Sequence, residues 1–364
     1  MEYVQERVAT LHDYDGAHPD APTDRSAVVV PMTGRDDASL AAEHVFSTLE
    51  GVDPQRVYVP LRASAEQVAE VASWVEAFDL STEVLWCNAP AIEDCLRDHG
   101  LTGDAGKGRD VWLALGVAAR HDYVAVHDAD ATSYSPRHVP KLLAPLAADY
   151  DFVKGYYARV EDNRLYGRLF RLFVRPLLVA LDEMTDHAVV DYLQAFRYAL
   201  AGEFAATSDV VRSLRVQPGW GLEVGTLGDA FDVAGFAGSA QVDLGTHEHD
   251  HRAVSGPAGL GDMCLEVGQA LFRVLADQGI DVDYDRLRET YTTAADRLVT
   301  QYAADARFNG LDYDPAGERE QVREYVRGVT EPGTDRRLPA WHSSALEPET
   351  VLGRSRDAID GLRD

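Results

Sequence analysis

Tyr123-Val124-Ala125-Val126-His127-Asp128-Ala129-Asp130-Ala131-Thr132 decides the reading of the fold: an apolar run of strand length is followed at once by two carboxylates one residue apart. A short continuous apolar run bounded by polar residues reads as a strand buried on both faces. Towards the N-terminus, Ala27-Val28-Val29-Val30-Pro31, Val57-Tyr58-Val59-Pro60 and Val84-Leu85-Trp86-Cys87 have the same character. Between them, Ala38 to Leu49 and Ala65 to Phe78 carry apolar residues at helical spacing, and a further helix is predicted from about Arg109 to Arg120. Strands alternating with helices imply βαβ units, hence an α/β protein with a mostly parallel sheet. Ligands of such sheets gather beyond the carboxyl ends of the strands, where Asp128 and Asp130 stand.

Towards the C-terminus, Phe152 to Tyr157 reads as another strand and Arg168 to Leu181 as a helix; the pattern is mixed from Trp220 to Asp243 and mainly helical from Leu260 onward. A polar lead, rich in Pro and Asp, runs from His12 to Arg25, and Glu331 to Glu349 is expected to pack loosely. The expected divisions are a lead over 1–24, a donor half over 25–135, an acceptor half over 136–258 and a mainly helical extension over 259–364.

Composition narrows the function. The 364 residues carry 34 Lys+Arg against 61 Asp+Glu, a net charge of −27, and a chain that repels polyanions so strongly is not a general nucleic-acid coat. Lysine occurs only at Lys107, Lys141 and Lys154. An acidic, arginine-using surface suits a protein hydrated in concentrated salt; an arginine-rich, GC-biased source is the alternative explanation. Cys87, Cys95 and Cys264 stand at no metal-ligand spacing and form no disulfide framework, which fits a reducing compartment. No apolar run reaches the roughly 18 residues of a membrane span. The acidic N-terminus lacks the layout of a signal peptide, so a cytoplasmic location is expected.

Several groups are suited to chemistry. Two carboxylates after a buried strand can hold a hard divalent cation together with the diphosphate it neutralises. Lys107, between Gly106 and Gly108 at a helix start, suits a phosphate contact: glycines permit close backbone approach, and a helix N-terminus favours an anion. His247, His249 and His251 alternate, so an extended segment would aim all three at one face, as a metal site needs. Arg168, Arg171 and Arg175 fall on one face of a predicted helix and offer paired donors to a carboxylate or phosphate, or else to the surplus acids.

The order Gly106-Lys107-Gly108, Val126 to Thr132, Phe152 to Tyr157, Gly167-Arg168, Arg175 to Leu178, Leu200-Ala201-Gly202-Glu203-Phe204, Gly219 to Gly225 and Gln241 to Gly245 resembles retaining glycosyltransferases of the GT-A fold. Within them it is most similar to the glucosyl-3-phosphoglycerate synthases of glycosyltransferase family 81, over about residues 25 to 275. The resemblance implies a Rossmann-like, mixed, mostly parallel sheet flanked by helices, with a helical C-terminal extension. It further implies a nucleotide-sugar donor, typically UDP-glucose, held by Lys107 and Asp128, with Pro31, Thr33 and Trp220 also on the donor side. Mg²⁺ or Mn²⁺ would sit on Asp130 and His249, Glu223 would meet the sugar hydroxyls, and Gly167, Arg168 and His251 would face a small anionic acceptor such as 3-phosphoglycerate. Asp128, Asp130 and Glu223 form the expected catalytic set, with a homodimer as the candidate assembly. Phe170 and His251 stand where the family usually has Thr and Asn, and the turns after Pro31 and Pro60 also depart from its pattern.

Two alternatives remain open on the residues alone. Asp128-Ala129-Asp130-Ala131-Thr132 also spells the nucleophile motif of aspartyl-phosphate phosphatases, although that motif normally opens the first strand of its domain. A binding-only relative of the transferases would explain the altered turns.

Overall fold

The computed structural model describes residues 5–363 except 37, 38, 102, 104, 247 and 249–256. The strands are β1 (Ala9–Leu11), β2 (Ser26–Val29), β3 (Met32–Thr33), β4 (Arg56–Arg62), β5 (Thr82–Trp86), β6 (Tyr123–Val126), β7 (Phe152–Ala158), β8 (Val160–Glu161), β9 (Arg164–Leu165), β10 (Phe204–Thr207) and β11 (Ser239–Thr246). The α-helices are α1 (Leu40–Val52), α2 (Ala65–Glu76), α3 (Pro90–Asp98), α4 (Lys107–Ala118), α5 (His138–Leu143), α6 (Arg175–Asp182), α7 (Ala188–Ala195), α8 (Ser208–Ser213), α9 (Leu222–Val233), α10 (Pro257–Asp277), α11 (Tyr284–Asn309), α12 (Pro315–Tyr325) and α13 (Pro348–Arg363).

Among the described residues, nine strands form one sheet in the order β1-β11-β7-β10-β6-β2-β4-β3, with β5 also on β4, while β8 and β9 make a separate hairpin. β2, β4 and β6 run parallel in register, Val29 opposite Val126 and Tyr58, so their carboxyl ends coincide. β2 is buried along its whole length, as a strand covered by helices on both faces must be. β10 alone runs against its neighbours β6 and β7, with Phe204 opposite both Val126 and Lys154. This reversal brings the residues just before β10 to the same sheet edge as the residues just after β6.

The structure adds one strand and corrects one expectation. The N-terminal lead contributes β1, which pairs in parallel with β11, so the chain before Ser26 extends the sheet. The stretch from Glu331 to Glu349 is anchored: Leu338 exchanges backbone hydrogen bonds with Val216, and Trp341 is buried, stacked on Trp112 of α4 with ring centroids 4.1 Å apart. Each indole N–H finds a carbonyl 2.8 Å away, Trp112 on Pro339 and Trp341 on Trp112. A Cβ on Gly116 would stand 2.3 Å from the Trp341 ring, so the glycine makes room for the stack. Short polar stretches hide such anchors because one aromatic can bury an otherwise hydrophilic segment.

Candidate active site

Asp128 follows β6 after the single residue His127, and the hydrogen bond from His127 N–H to the Val29 carbonyl, 3.0 Å, keeps this turn level with the end of β2. Lys107 is the first residue of α4, and its ammonium donates to Asp128 Oδ1 at 2.5 Å and lies 3.9 Å from Glu223 Oε1. The glycines beside Lys107 serve packing. A Cβ on Gly108 would come 1.8 Å from the Gln217 carbonyl oxygen, and one on Gly106 2.5 Å from that of Pro218, so backbone lies directly on the start of α4. That backbone leads through Gly219, Trp220 and Gly221 into α9, whose first turn carries Glu223. The close approach therefore draws Lys107 and Glu223 together.

Glu203 completes the cluster. Gly202 packs against Asp128, since a Cβ there would lie 2.7 Å from Asp128 Oδ2, and the Glu203 carbonyl accepts from Gly155 N–H of β7 at 2.9 Å. Lys154, only 1% exposed, puts its Nζ 5.9 Å from the Phe204 ring centroid, with no hydrogen-bond partner among the described residues. Burial draws its pKa down to about 8, against the pull of Glu223 and Glu203. Burial also works against the Lys107 ammonium, but Asp128, Glu223 and Asp130 outweigh it and hold its pKa above the ordinary lysine range. The Asp130 carboxyl is pushed up by burial and by the charge of Asp128, and that of Glu203 by the same two causes.

Asp128, Asp130, Glu203 and Glu223 thus gather around two amines, a surplus of carboxylate oxygen at a strand edge. Hard divalent cations prefer such oxygen donors, so the residues present fit a Mg²⁺ or Mn²⁺ ion. Among the described residues, no three His, Cys, Asp or Glu side chains already converge in a metal geometry. His249, the expected nitrogen ligand, and His247 and His251 lie outside the described residues. Glu248, next to His249 in the sequence, is tied to the turn that carries the aspartates: its carbonyl accepts from Thr132 N–H at 2.9 Å and from the Thr132 hydroxyl at 3.1 Å.

The other expected contacts are spread around this edge. Pro31 lies just beyond β2, level with Asp128, whereas Thr33 gives both its N–H and its hydroxyl to Asp36 Oδ2, at 2.5 and 3.1 Å. Trp220 is 45% exposed, with its backbone N–H on Glu266 Oε2 at 2.7 Å. Gly167 adopts a left-handed conformation, φ 73°, and a side chain there would also crowd the Tyr198 hydroxyl. Arg168 remains more than half exposed. The expected basic helix face is not a free surface: Arg171 is buried on Glu318, and Arg175 Nη1 donates to the Gln194 carbonyl at 3.4 Å. Between them, Phe170–Val174 forms a π-helical turn, a widening that recurs at functional sites. Sequence reasoning gave no role to Glu203, Lys154 or Glu318. The rarity of lysine, applied only to Lys107, was the signal that could have found Lys154, whereas Glu318 left no local signal.

No protein-family model matches the chain. In sequence it is similar to the glucosyl-3-phosphoglycerate synthase of Methanococcoides burtonii, 32% identical over an alignment covering 100% of this chain and 96% of that protein. The protein of the same name from Persephonella marina is 35% identical over 73% of this chain and 70% of its own. In structure the chain is similar to glucosyl-3-phosphoglycerate synthase from Mycobacterium tuberculosis in complex with Mn²⁺ and UDP-glucose, with 25% identity, a TM-score of 0.54, and 76% of this chain and 88% of that one covered. The mixed, mostly parallel sheet with its helical C-terminal region agrees with the fold expected from the sequence.

Proposed function

The chain belongs to the glucosyl-3-phosphoglycerate synthase family of glycosyltransferases, and on that premise we propose that it transfers glucose, with retention, from UDP-glucose to a hydroxyl of 3-phosphoglycerate. The observation that carries the reading is the convergence of Lys107, Asp128 and Glu223 beside the buried carboxyl of Asp130.

Lys107, now paired with Asp128, is the amine that reaches the donor's diphosphate. Asp130, two residues beyond Asp128, and His249 would hold Mg²⁺ or Mn²⁺, which would supply charge stabilisation for the departing diphosphate. Glu223 accepts hydrogen bonds from the sugar hydroxyls, and Pro31, Thr33 and Trp220 border the donor. Arg168, next to Gly167, offers paired donors to the acceptor's phosphate or carboxylate. The bond from the sugar's anomeric carbon to the β-phosphate oxygen breaks, the bond to the acceptor oxygen forms on the same face, and the acceptor's hydroxyl proton leaves with the diphosphate. In this division of labour residues 25–135 serve the donor, 136–258 serve the acceptor while lending Trp220 and Glu223 to the donor and His249 to the cation, and 259–364 form a supporting extension. Three buried free cysteines fit a cytoplasmic setting, and a homodimer is the candidate assembly. Among the described residues no helix is long and apolar enough to cross a membrane.

The test is release of UDP from UDP-glucose in molar KCl with Mn²⁺, with and without 3-phosphoglycerate. Acceptor-dependent release that disappears with EDTA is expected. Binding of UDP-glucose with no transfer under these conditions, or release of phosphate from a generic phosphomonoester, would overturn the proposal in favour of a binding protein or a phosphatase.

A further inference from the structure

The C-terminal extension reaches back to the acceptor segment at two places. The turn between β8 and β9 places Asp162 and Asn163 at positive φ, 48° and 62°, and the Asn163 carbonyl accepts from Asp312 N–H at 2.8 Å. Asn163 Nδ2 also donates to the Gly310 carbonyl at 3.3 Å, so the connection between α11 and α12 docks on the hairpin that leads into Gly167 and Arg168. The second fastening is Glu318, in the first turn of α12. Asp314 caps that turn by accepting from the N–H groups of Ala316 and Gly317, both at 3.1 Å.

Glu318 is 5% exposed and serves two guanidiniums at once. Arg171 takes it bidentately, Nη1 to Oε2 at 2.8 Å and Nη2 to Oε1 at 3.3 Å, and the Tyr313 hydroxyl adds a bond to Oε2 at 3.1 Å. Arg171 also donates to the carbonyls of Tyr166 and Leu165, at 2.9 and 3.1 Å, and its guanidinium carbon lies 4.9 Å from the ring centroid of Tyr302 on α11. Four of its five N–H groups are engaged and its side chain is only 9% exposed. Arg168 differs: only its Nε meets Glu318, at 3.2 Å, its side chain is 54% exposed, and its two terminal nitrogens have no partner among the described residues. One carboxylate between two guanidiniums leaves one positive charge uncompensated. Since Arg171 is buried in its pair with Glu318 and Arg168 is exposed, that charge is available at Arg168.

Resting on the reading of Arg168 as the acceptor's cation, we propose that Glu318 is a positioning residue supplied by the C-terminal extension, which holds Arg168 by Nε so that its terminal nitrogens meet the acceptor's anionic group. A guanidinium fixed at Nε presents its paired donors at a defined angle, and an untethered one must be ordered by each acceptor that binds.

The test compares Glu318→Gln, the double variant Arg171→Met/Glu318→Met and Arg168→Ala, measuring kcat and the KM values for 3-phosphoglycerate and UDP-glucose, together with Tm. Glu318→Gln leaves Arg171 buried without its counter-charge and can fail to fold. The double variant removes both buried charges at similar volume and keeps the chain testable. Both Glu318 variants are expected to raise KM for 3-phosphoglycerate about tenfold, with kcat at saturating acceptor and KM for UDP-glucose within about twofold of the parent. Arg168→Ala should raise the acceptor KM at least as much. A folded Glu318 variant with a lowered Tm and an unchanged acceptor KM overturns the proposal, leaving Glu318 a structural role. No change in Arg168→Ala overturns instead the assignment of Arg168 to the acceptor.

Discussion

The sides of the site proposed for the donor and for the acceptor are built by opposite strategies. On the donor side, parallel strand ends, one reversed strand and backbone pressed onto two glycines bring Lys107, Asp128, Glu203 and Glu223 together within the sheet domain itself. On the proposed acceptor side, Arg168 lies between a short hairpin and a single π-helical turn, and the carboxylate that holds it comes from a helix near the other end of the chain. Where sheet register aligns charges, few outside contacts are needed. Where a loop must present a charge, a distant element supplies the stiffness.

The donor side can be broken most severely at Asp130. Asp130→Ala should lower kcat by at least about 10³-fold, and EDTA should do the same to the parent, both read as UDP release. Retained turnover in the variant would remove Asp130 from the cation site. The extension's independence from the donor side is tested by Trp341→Ala, which deletes the stack on Trp112 and is expected to cost about 3 kcal/mol of stability in chemical unfolding. KM for UDP-glucose should hold; if it rises, the extension supports both sides and the contrast dissolves, because Trp112 belongs to the same helix as Lys107.

A smaller effect is expected from Gly202→Ala, whose new methyl would meet Asp128 Oδ2 at 2.7 Å. A shift of that carboxylate should lower kcat by about 10²-fold while KM for 3-phosphoglycerate stays level, a split visible in steady-state kinetics. The smallest effect concerns pH. Burial lifts the Asp110 carboxyl of α4 to about 6, against the pull of Arg62 and Arg109. Between its ordinary value of 3.8 and about 6, the folded chain keeps a proton that the unfolded chain has released. Stability from this group is therefore lost as pH rises through that window and does not return above it. Asp110→Asn should stabilise the chain by about 1–2 kcal/mol at pH 7.5 and by much less at pH 4, measured in matched unfolding series.

The same contrast explains what could be read from the sequence. The strand ending at Val126, the aspartates beyond it and Lys107 at its helix start were legible because each is local: an apolar run, a polar break, a rare residue between glycines. β1, just before the polar lead, was not legible because three residues are too few to show a period. The reversal of β10 leaves no trace in composition, so Glu203 could be marked only by its motif and not by position. Trp341 was misjudged because its neighbours are polar and its partner lies far back in the chain. The pairing of Glu318 with Arg168 and Arg171 spans about 150 residues and follows no repeating pattern, so only the folded chain reveals it.

The placement of the three lysines has a practical outcome. Lys154 and Lys141 are buried, the latter donating to Asp13 Oδ2 at 2.6 Å, whereas Lys107 keeps about a third of its side chain in contact with solvent. A surface carried by arginine gives amine-directed reagents almost nothing to attack. Lys107, the most exposed of the three, is held in its protonated form by Asp128, and acylating dyes and crosslinkers need a neutral amine. Amine labelling of these side chains therefore reports unfolding: burial and ion pairing hold back all three in the folded chain, and their reactivity should appear as the fold is lost, a gain that mass spectrometry could follow.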